Sequence, residues 1–264
     1  MENKTNHFNQ SLTRGLSILE FIADHDGKAT LTIISRGLGL DKATTKRFLD
    51  TLTGLGYIRL SEQGKTFSIT LKALRIGYSA VSNLGWRDIA RFHIEQLFAE
   101  LRETVSLCVL DDTEILYLLR LNRENFWVQD VGIGSRRPAY ASSMGKMLLA
   151  LEPPERAERI LAAMHYRPMT PHTVTSPEEL RVQMEEARRN GYAVSDQEIS
   201  LLTRSVSAPI MNGDKAVAAL AIALRVDDYT REDMIRLMAP KALACAAQIA
   251  TALKQVEFRP DIGT

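Results

Sequence analysis

From residue 31 the apolar positions recur at helical spacing, with Leu31, Ile34 and Leu38 on one stripe and a break at Gly39-Leu40. A second helix is predicted after Asp41, whose short acceptor side chain suits an N-cap. On it Phe48, Leu49, Leu52 and Leu55 share one face, while Lys42, Ala43, Lys46, Arg47 and Thr53 share the opposite one. An apolar stripe behind a small, basic one suits a helix laid in a DNA major groove, where cations meet phosphates or guanine edges and small residues permit close approach. Taken alone, the helix has a second reading as an ordinary amphipathic helix with a solvated basic face. Its surroundings favour the first. Tyr57-Ile58-Arg59-Leu60 and Thr66-Phe67-Ser68-Ile69-Thr70 flank the polar turn Ser61-Glu62-Gln63-Gly64-Lys65, a hairpin pattern. Such a hairpin makes a wing, from which Arg59 and Lys65 reach backbone phosphate. Upstream, Leu12, Leu16, Leu19 and Ile22 predict a first helix, with Ser11 as a candidate cap. Helix, helix, turn, helix, hairpin is the order of a winged helix-turn-helix, here over residues 1–70. Its predicted contacts to a double-stranded operator are Lys42, Ala43, Thr44, Lys46, Arg47, Arg59 and Lys65.

Beyond the wing, Leu71, Leu74, Tyr78, Val81 and Gly85 recur at three and four residues and predict a linker helix over 71–84. Its stripe packs either on its own domain or on the same helix of a second chain. The dimer is favoured, because one half-site rarely supplies enough affinity or specificity. A helix from Trp86 follows, with Ile89, Phe92, Leu97, Phe98 and Leu101 as its inner positions. From Thr104 the pattern shortens to strands at 105–110, 115–119 and 126–131, punctuated by Asp111-Asp112 and Asn122-Arg123-Glu124-Asn125. A loop at 132–138 leads through small residues into a helix at Lys146-Met147-Leu148-Leu149. Ser176-Pro177-Glu178-Glu179 starts another helix, which ends at Arg188-Arg189-Asn190-Gly191. Strands resume at 192–194, 205–210 and 216–224, the last two joined through Asn212-Gly213-Asp214. The closing helix carries Ile235, Met238, Ala242, Cys245, Ile249, Leu253 and Val256 on a face suited to covering a sheet. Residues 85–264 therefore read as an α+β sensor-like domain with a largely antiparallel sheet.

Charge sharpens this division. The 264 residues carry a net +1, but residues 1–84 hold 11 Lys/Arg against 7 Asp/Glu and the remainder holds 22 against 25. A mildly basic module joined to a mildly acidic one suits a DNA reader attached to a second function. The polar MENKTNHFNQ start has no signal-peptide core and no apolar run approaches a membrane span, so a cytoplasmic location without membrane association is expected. Cys108 and Cys245 lie far apart in apolar contexts and read as buried thiols. The five histidines are scattered, and neither a metal site nor a cofactor is expected.

Several short runs together resemble the IclR family of bacterial transcriptional regulators, from about Ser11 to the closing helix. In the first domain they are Ser11-Leu12-Thr13-Arg14-Gly15-Leu16, Gly39-Leu40-Asp41-Lys42-Ala43-Thr44 and Leu55-Gly56-Tyr57. In the second they are Gly134-Ser135, Pro138-Ala139-Tyr140, Ala141-Ser142-Ser143-Met144-Gly145-Lys146, Asp196-Gln197-Glu198 and Arg204-Ser205-Val206 before Pro209. The run from Gly134 to Gly145 is closer to the branch regulating aromatic catabolism, the protocatechuate and 4-hydroxybenzoate regulators. The resemblance implies a GAF-like effector domain, a small organic-acid effector, and self-association as a dimer or a dimer of dimers. Matching positions carry the family's pocket onto Ser143, Met144, Ser195, Asp196, Ser205, Ala221 and Ala223.

The residues themselves make that reasonable. Small side chains at Ala141, Ser142, Ser143 and Gly145 leave a helix start open to a carboxylate, and Ala221 and Ala223 alternate onto one strand face. This chain also departs from the pattern. Arg137 stands where relatives often carry an apolar residue, and reads either as a bidentate clamp on a carboxylate or as a solvated loop arginine. Leu202 replaces a frequent glycine, and Ala221 and Ala223 replace hydroxyl residues, which favours a less polar ligand. A hydrolase using Ser142 or Ser143 with His165 or His172 lacks a Gly-x-Ser-x-Gly elbow and an orienting constellation, so no enzyme is expected. A signalling module that has lost DNA binding sits poorly with Lys42, Lys46 and Arg47 all in place.

Overall fold

A computed structural model describes residues 9–254 except 26, 83–84 and 125–130, with backbone alone for 78–82. The chain divides into two compact units, residues 1–83 and 84–264.

The first unit opens with α1 (Gln10–Ala23), β1 (Ala29–Thr30) and α2 (Leu31–Gly37). Then come α3 (Lys42–Gly54), the wing strands β2 (Ile58–Leu60) and β3 (Thr66–Ile69), and α4 (Leu71–Ser82). Asn9, not Ser11, caps α1, its side chain accepting from the amides of Ser11 and Leu12 at 3.0 and 3.1 Å. The core forms around Ile18, Ile22, Ala29, Ile34, Leu49, Leu52 and Ile58. Leu12 and Leu16, expected inside, are 63% and 50% exposed, because it is the second half of α1 that meets this core. Leu55 likewise ends up exposed, as the residue that closes α3. The α2–α3 turn passes through Gly39 at φ +63°, a left-handed geometry that costs glycine little. One element was not anticipated. The two-residue β1 pairs with β3, placing β3 between β1 and β2.

The second unit begins with α5 (Gly85–Leu101), β4 (Thr104–Asp111), β5 (Glu114–Leu121) and β6 (Arg136–Pro138). A 3-10 turn (Ala139–Ala141) leads into α6 (Ser143–Leu151), α7 (Pro154–Ala163) and α8 (Pro177–Asn190). Then follow β7 (Ala193–Asp196), β8 (Thr203–Asn212), β9 (Lys215–Arg225), the short turn α9 (Arg231–Asp233), a π-turn (Met234–Met238) and α10 (Ala239–Leu253). The sheet order is β6-β5-β4-β9-β8-β7, and every pairing is antiparallel. One sheet face packs against α5 and α10 through Trp86, Ile94, Val105, Ile222, Ala242 and Ile249. The other is covered by α6, α7 and α8, with Met147, Leu161 and Leu180 over Cys108, Ala219 and Ala221.

The inner stripe of α5 runs through Trp86, Ala90, Ile94 and Leu97, and Phe92 stands outside it, 58% exposed. Near the closing helix Met234 is fully buried and Ile235 only partly, because the π-turn adds a residue and rotates the stripe. The Ser176 cap and the left-handed Gly191 at the two ends of α8 are as the sequence predicts. The predicted strand 126–131 falls on residues outside the described set apart from Val131, as does Val256. The supposed loop before Pro138 contains β6, which pairs with β5 and gives Arg137 a strand position opposite Ile115. The α7 helix had no counterpart in the periodicity reading.

Candidate functional site

The first candidate surface is the outer face of α3. Asp41 starts this helix by accepting from the Thr44 amide at 2.8 Å, and that bond holds its carboxyl below the usual range. Thr45 is buried and donates to the Asp41 carbonyl at 2.9 Å, so the apolar side of the helix begins within its first turn. Lys42, Ala43, Lys46 and Arg47 are exposed together, with Thr44 half-buried at their edge. Lys46 forms an i,i+4 ion pair with Asp50 at 2.8 Å, the side chains 65% and 64% exposed. A solvated pair of this kind contributes only about 0.3–0.5 kcal/mol, so Lys46 can exchange Asp50 for phosphate at small cost.

On the wing, Arg59 donates to Ser68, its cross-strand partner, at 3.2 Å, and Lys65 is exposed in the turn. Lys72, which the sequence did not single out, donates to the Leu55 carbonyl at 2.6 Å and lies 4.9 Å from the Tyr57 ring centroid. It pins the start of α4 to the end of α3.

The second candidate is a cavity of about 70 Å³ between the sheet and the start of α6. Gly145 lets α6 begin there, since a Cβ at this position would overlap the Ala139 backbone. Arg137, Ser142, Ser143, Met144, Ser195, Ser205, Ala221 and Ala223 all line this space. Ser142 caps α6, Ser143 and Ser205 share a hydroxyl hydrogen bond of 2.8 Å, and Ser195 donates to the Ala141 carbonyl at 2.8 Å. Asp196 is not among the lining residues. Strand alternation turns it to the other side of β7, where it pairs with Arg204 at 3.2 Å and borders a separate hollow of about 380 Å³.

The structure adds Ser106, Tyr117, Arg120, Ile199, Ser200 and Thr203 to the cavity wall. Arg120 eluded the strand pattern for a physical reason. Ile115 and Tyr117 face α6, and strict alternation would send Leu119 there next and Arg120 away. A bulge interrupts the β4–β5 register, pairing Leu107 with Leu119 and Cys108 with Tyr117, so Leu118 is the extra residue. Leu119 then joins the opposite core and Arg120 faces the cavity.

Behind the cavity, the loop after β7 is fixed from several sides. Gln197 adopts φ +60°, Thr170 and Thr173 donate to the carbonyls of Gln197 and Glu198 at 2.6 Å each, and the Glu198 carboxylate pairs with Lys146 of α6. Burial lowers the Lys146 ammonium and raises the Glu198 carboxyl, and each partner opposes the other's shift. His172 borders the separate hollow, and neither it nor His165 lines the cavity of Ser142 and Ser143. Among the described residues no group of three or more His, Cys, Asp or Glu is placed to hold a metal, and no helix is long and apolar enough to cross a membrane.

Comparison with known proteins bears on both surfaces. Residues 11–62 match the IclR helix-turn-helix domain, and residues 78–251 match the domain described as bacterial transcriptional regulator IclR C-terminal. The Pca regulon regulatory protein of Pseudomonas putida is 29% identical over 244 residues, spanning 92% of this chain and 83% of that protein. The transcriptional repressor IclR of Escherichia coli is 28% identical over 246 residues, 92% and 89% of the two chains. A transcriptional regulator from Rhodococcus sp. RHA1 has a similar structure, with TM-score 0.76 and 33% identity over 95% of this chain and 100% of that one. An IclR homolog from Microbacterium hydrocarbonoxydans, solved in complex with 4-hydroxybenzoate, gives TM-score 0.76 and 26% identity, with 94% and 100% covered.

Proposed function

The chain belongs to the IclR family of bacterial transcriptional regulators, and on that premise we propose that a small organic acid held in the α6 cavity governs how its winged helix-turn-helix reads DNA. It is a DNA-binding regulator of the IclR type; the relatives are regulators, and no enzyme family is indicated. The observation that carries the effector reading is the convergence of eight sequence-identified residues, Arg137 through Ala223, on one small cavity at a helix start. Serine hydroxyls supply hydrogen bonds there, the α6 dipole favours an acceptor oxygen of the ligand, and the alanines receive a carbon skeleton. The Microbacterium homolog, solved in complex with 4-hydroxybenzoate, directs the first trials to aromatic acids. On the DNA side, Lys42, Ala43, Thr44, Lys46 and Arg47 face the groove, while Arg59 and Lys65 contact phosphate. The operator-binding unit is a dimer, for which the exposed leucines of α1 and α4 supply apolar surface.

A thermal-shift screen of small acids, followed by a mobility shift with the chain's own upstream DNA in the presence of each hit, tests this reading. An acid that raises the melting temperature and changes operator affinity is expected. Hits that stabilise the protein and leave operator affinity unaltered would remove the regulatory link.

A further inference from the structure

We infer that Arg120 takes the carboxylate of the effector, and that the cavity is built for a short acid carrying a second polar group at its far end. This rests on the α6 cavity being the effector site. It identifies the residue that reads the acid and the class of acid read.

The sheet register arranges the cavity floor in two rows. Arg120 pairs with Ser106, and Ser106 with Ala221. Two residues along, Ala223 pairs with Ser205, and Ser205 with Ser195. Read across the strands, the floor begins with the Arg120 guanidinium and the Ser106 hydroxyl, passes over two methyl groups, and ends in the hydroxyls of Ser205 and Ser195. A ligand matched to it has an anionic end, an apolar middle and a hydrogen-bonding end.

The anionic end belongs at Arg120. Its side chain is partly buried, and its partners are neutral: Asn122 at 2.8 Å, Ser106 at 3.1 Å and the Tyr117 ring, whose centroid lies 5.8 Å away. Among the described residues no carboxylate pairs with it. Burial holds its guanidinium below the ordinary arginine range; Tyr117 opposes that shift and the nearby Arg137 guanidinium adds to it. Such a group gains more from an incoming carboxylate than a solvated arginine does. The opposite end is the hydroxyl pair of Ser143 and Ser205, which between them keep one proton to donate and lone pairs to accept.

Arg120 on β5 and Ser205 on β8 lie three strands apart in the sheet, so a single polar group of a small acid does not serve both ends. A ligand that spans them carries a hydroxyl, carbonyl or second carboxylate opposite the first carboxylate, on a short chain or a single ring.

Calorimetry on the full chain with two matched pairs of acids tests this: succinate against butyrate, and 4-hydroxybenzoate against benzoate. At least one two-ended acid should bind about tenfold more tightly than its one-ended partner. Arg120→Met should weaken that acid by about tenfold to a hundredfold. Its ligand-free melting temperature should equal or exceed the native one, because the variant removes a partly buried charge with no carboxylate beside it. An Arg120→Met chain that melts lower or fails to fold makes Arg120 structural and overturns the assignment. Native affinity in Arg120→Met alongside lost binding in Ser143→Trp overturns the role of Arg120 and keeps the cavity as the effector site. Native affinity in both variants removes the cavity itself. One-ended acids binding as tightly as two-ended ones, or no heat from any of the four, overturns the ligand class.

Discussion

Lys146 on α6 and Glu198 on the β7–β8 loop form an ion pair nearly sealed from solvent, with 1% and 6% of their side chains exposed. Such a pair stabilises little over a well-packed apolar pair, but removing one partner strands a buried charge. Glu198→Gln alone should cost about 3–5 kcal/mol, whereas Lys146→Met with Glu198→Leu should cost far less. Urea unfolding of the two variants measures the contrast, and equal losses would mean that packing, not charge, sets the energetics.

The basic face of α3 gives a second expectation. Replacing Lys46 and Arg47 with Ala should raise the operator Kd and lower the salt slope by about 2, with little change in melting temperature or acid binding. Asp50→Asn frees Lys46 from its ion pair and should tighten DNA binding slightly. Unchanged operator affinity in the double alanine variant would show that α3 is not the DNA-reading helix.

At the start of α3, the Asp41 carboxyl is held below its ordinary value by the Thr44 amide. The unfolded chain therefore binds that proton more readily than the native one. The contribution of Asp41 is present above the ordinary aspartate range and is lost as pH falls through the lowered native value. Asp41→Asn keeps an acceptor for the cap and should flatten this acid-side loss. Melting temperatures at acid and neutral pH test it; identical slopes would assign the acid sensitivity elsewhere.

Ser143 touches Ser205 across the cavity at 2.8 Å, so Ser143→Trp should fill the space and abolish any acid-induced melting shift. Operator affinity without acid should stay near native, because the DNA-reading unit is separate. A variant that still responds to the acid would place the effector elsewhere.

Leu71 and Leu74 on α4 are 84% and 62% exposed, an apolar surface that a second chain would cover. Leu71→Glu with Leu74→Glu should weaken association and operator binding together, by placing charges in a desolvated seam. Light scattering and a mobility shift on the same sample decide it, and an intact dimer that still binds DNA would exclude this seam.

The readability of the sequence followed how locally each feature is encoded. Asp41, Gly39 and the three-residue spacing of Leu49 and Leu52 act within one or two turns, and α3 formed where they placed it. Leu12, Leu16 and Phe92 fit helical stripes but lie beyond what the neighbouring core reaches, which periodicity along one helix does not report. The strands β1 and β6, of two and three residues, are too short for any alternation to register. Seven of the resemblance and small-residue positions around Ser143 converge with Arg137, whereas Asp196 lies outside the cavity and Arg120, which the sequence did not single out, lies within it. Asp196 is adjacent to a cavity residue but turned away by strand alternation, and Arg120 is turned inward by a bulge visible only once β4 and β5 are paired.

The division of the chain after residue 83 has a thermodynamic corollary. If operator contacts fall on one unit and acid contacts on the other, as proposed, the four combinations of bound and free close a cycle. The factor by which acid changes operator affinity then equals the factor by which operator changes acid affinity. Titrating the acid with and without operator DNA would therefore reveal whether the acid recruits or releases the protein, before any transcript is measured.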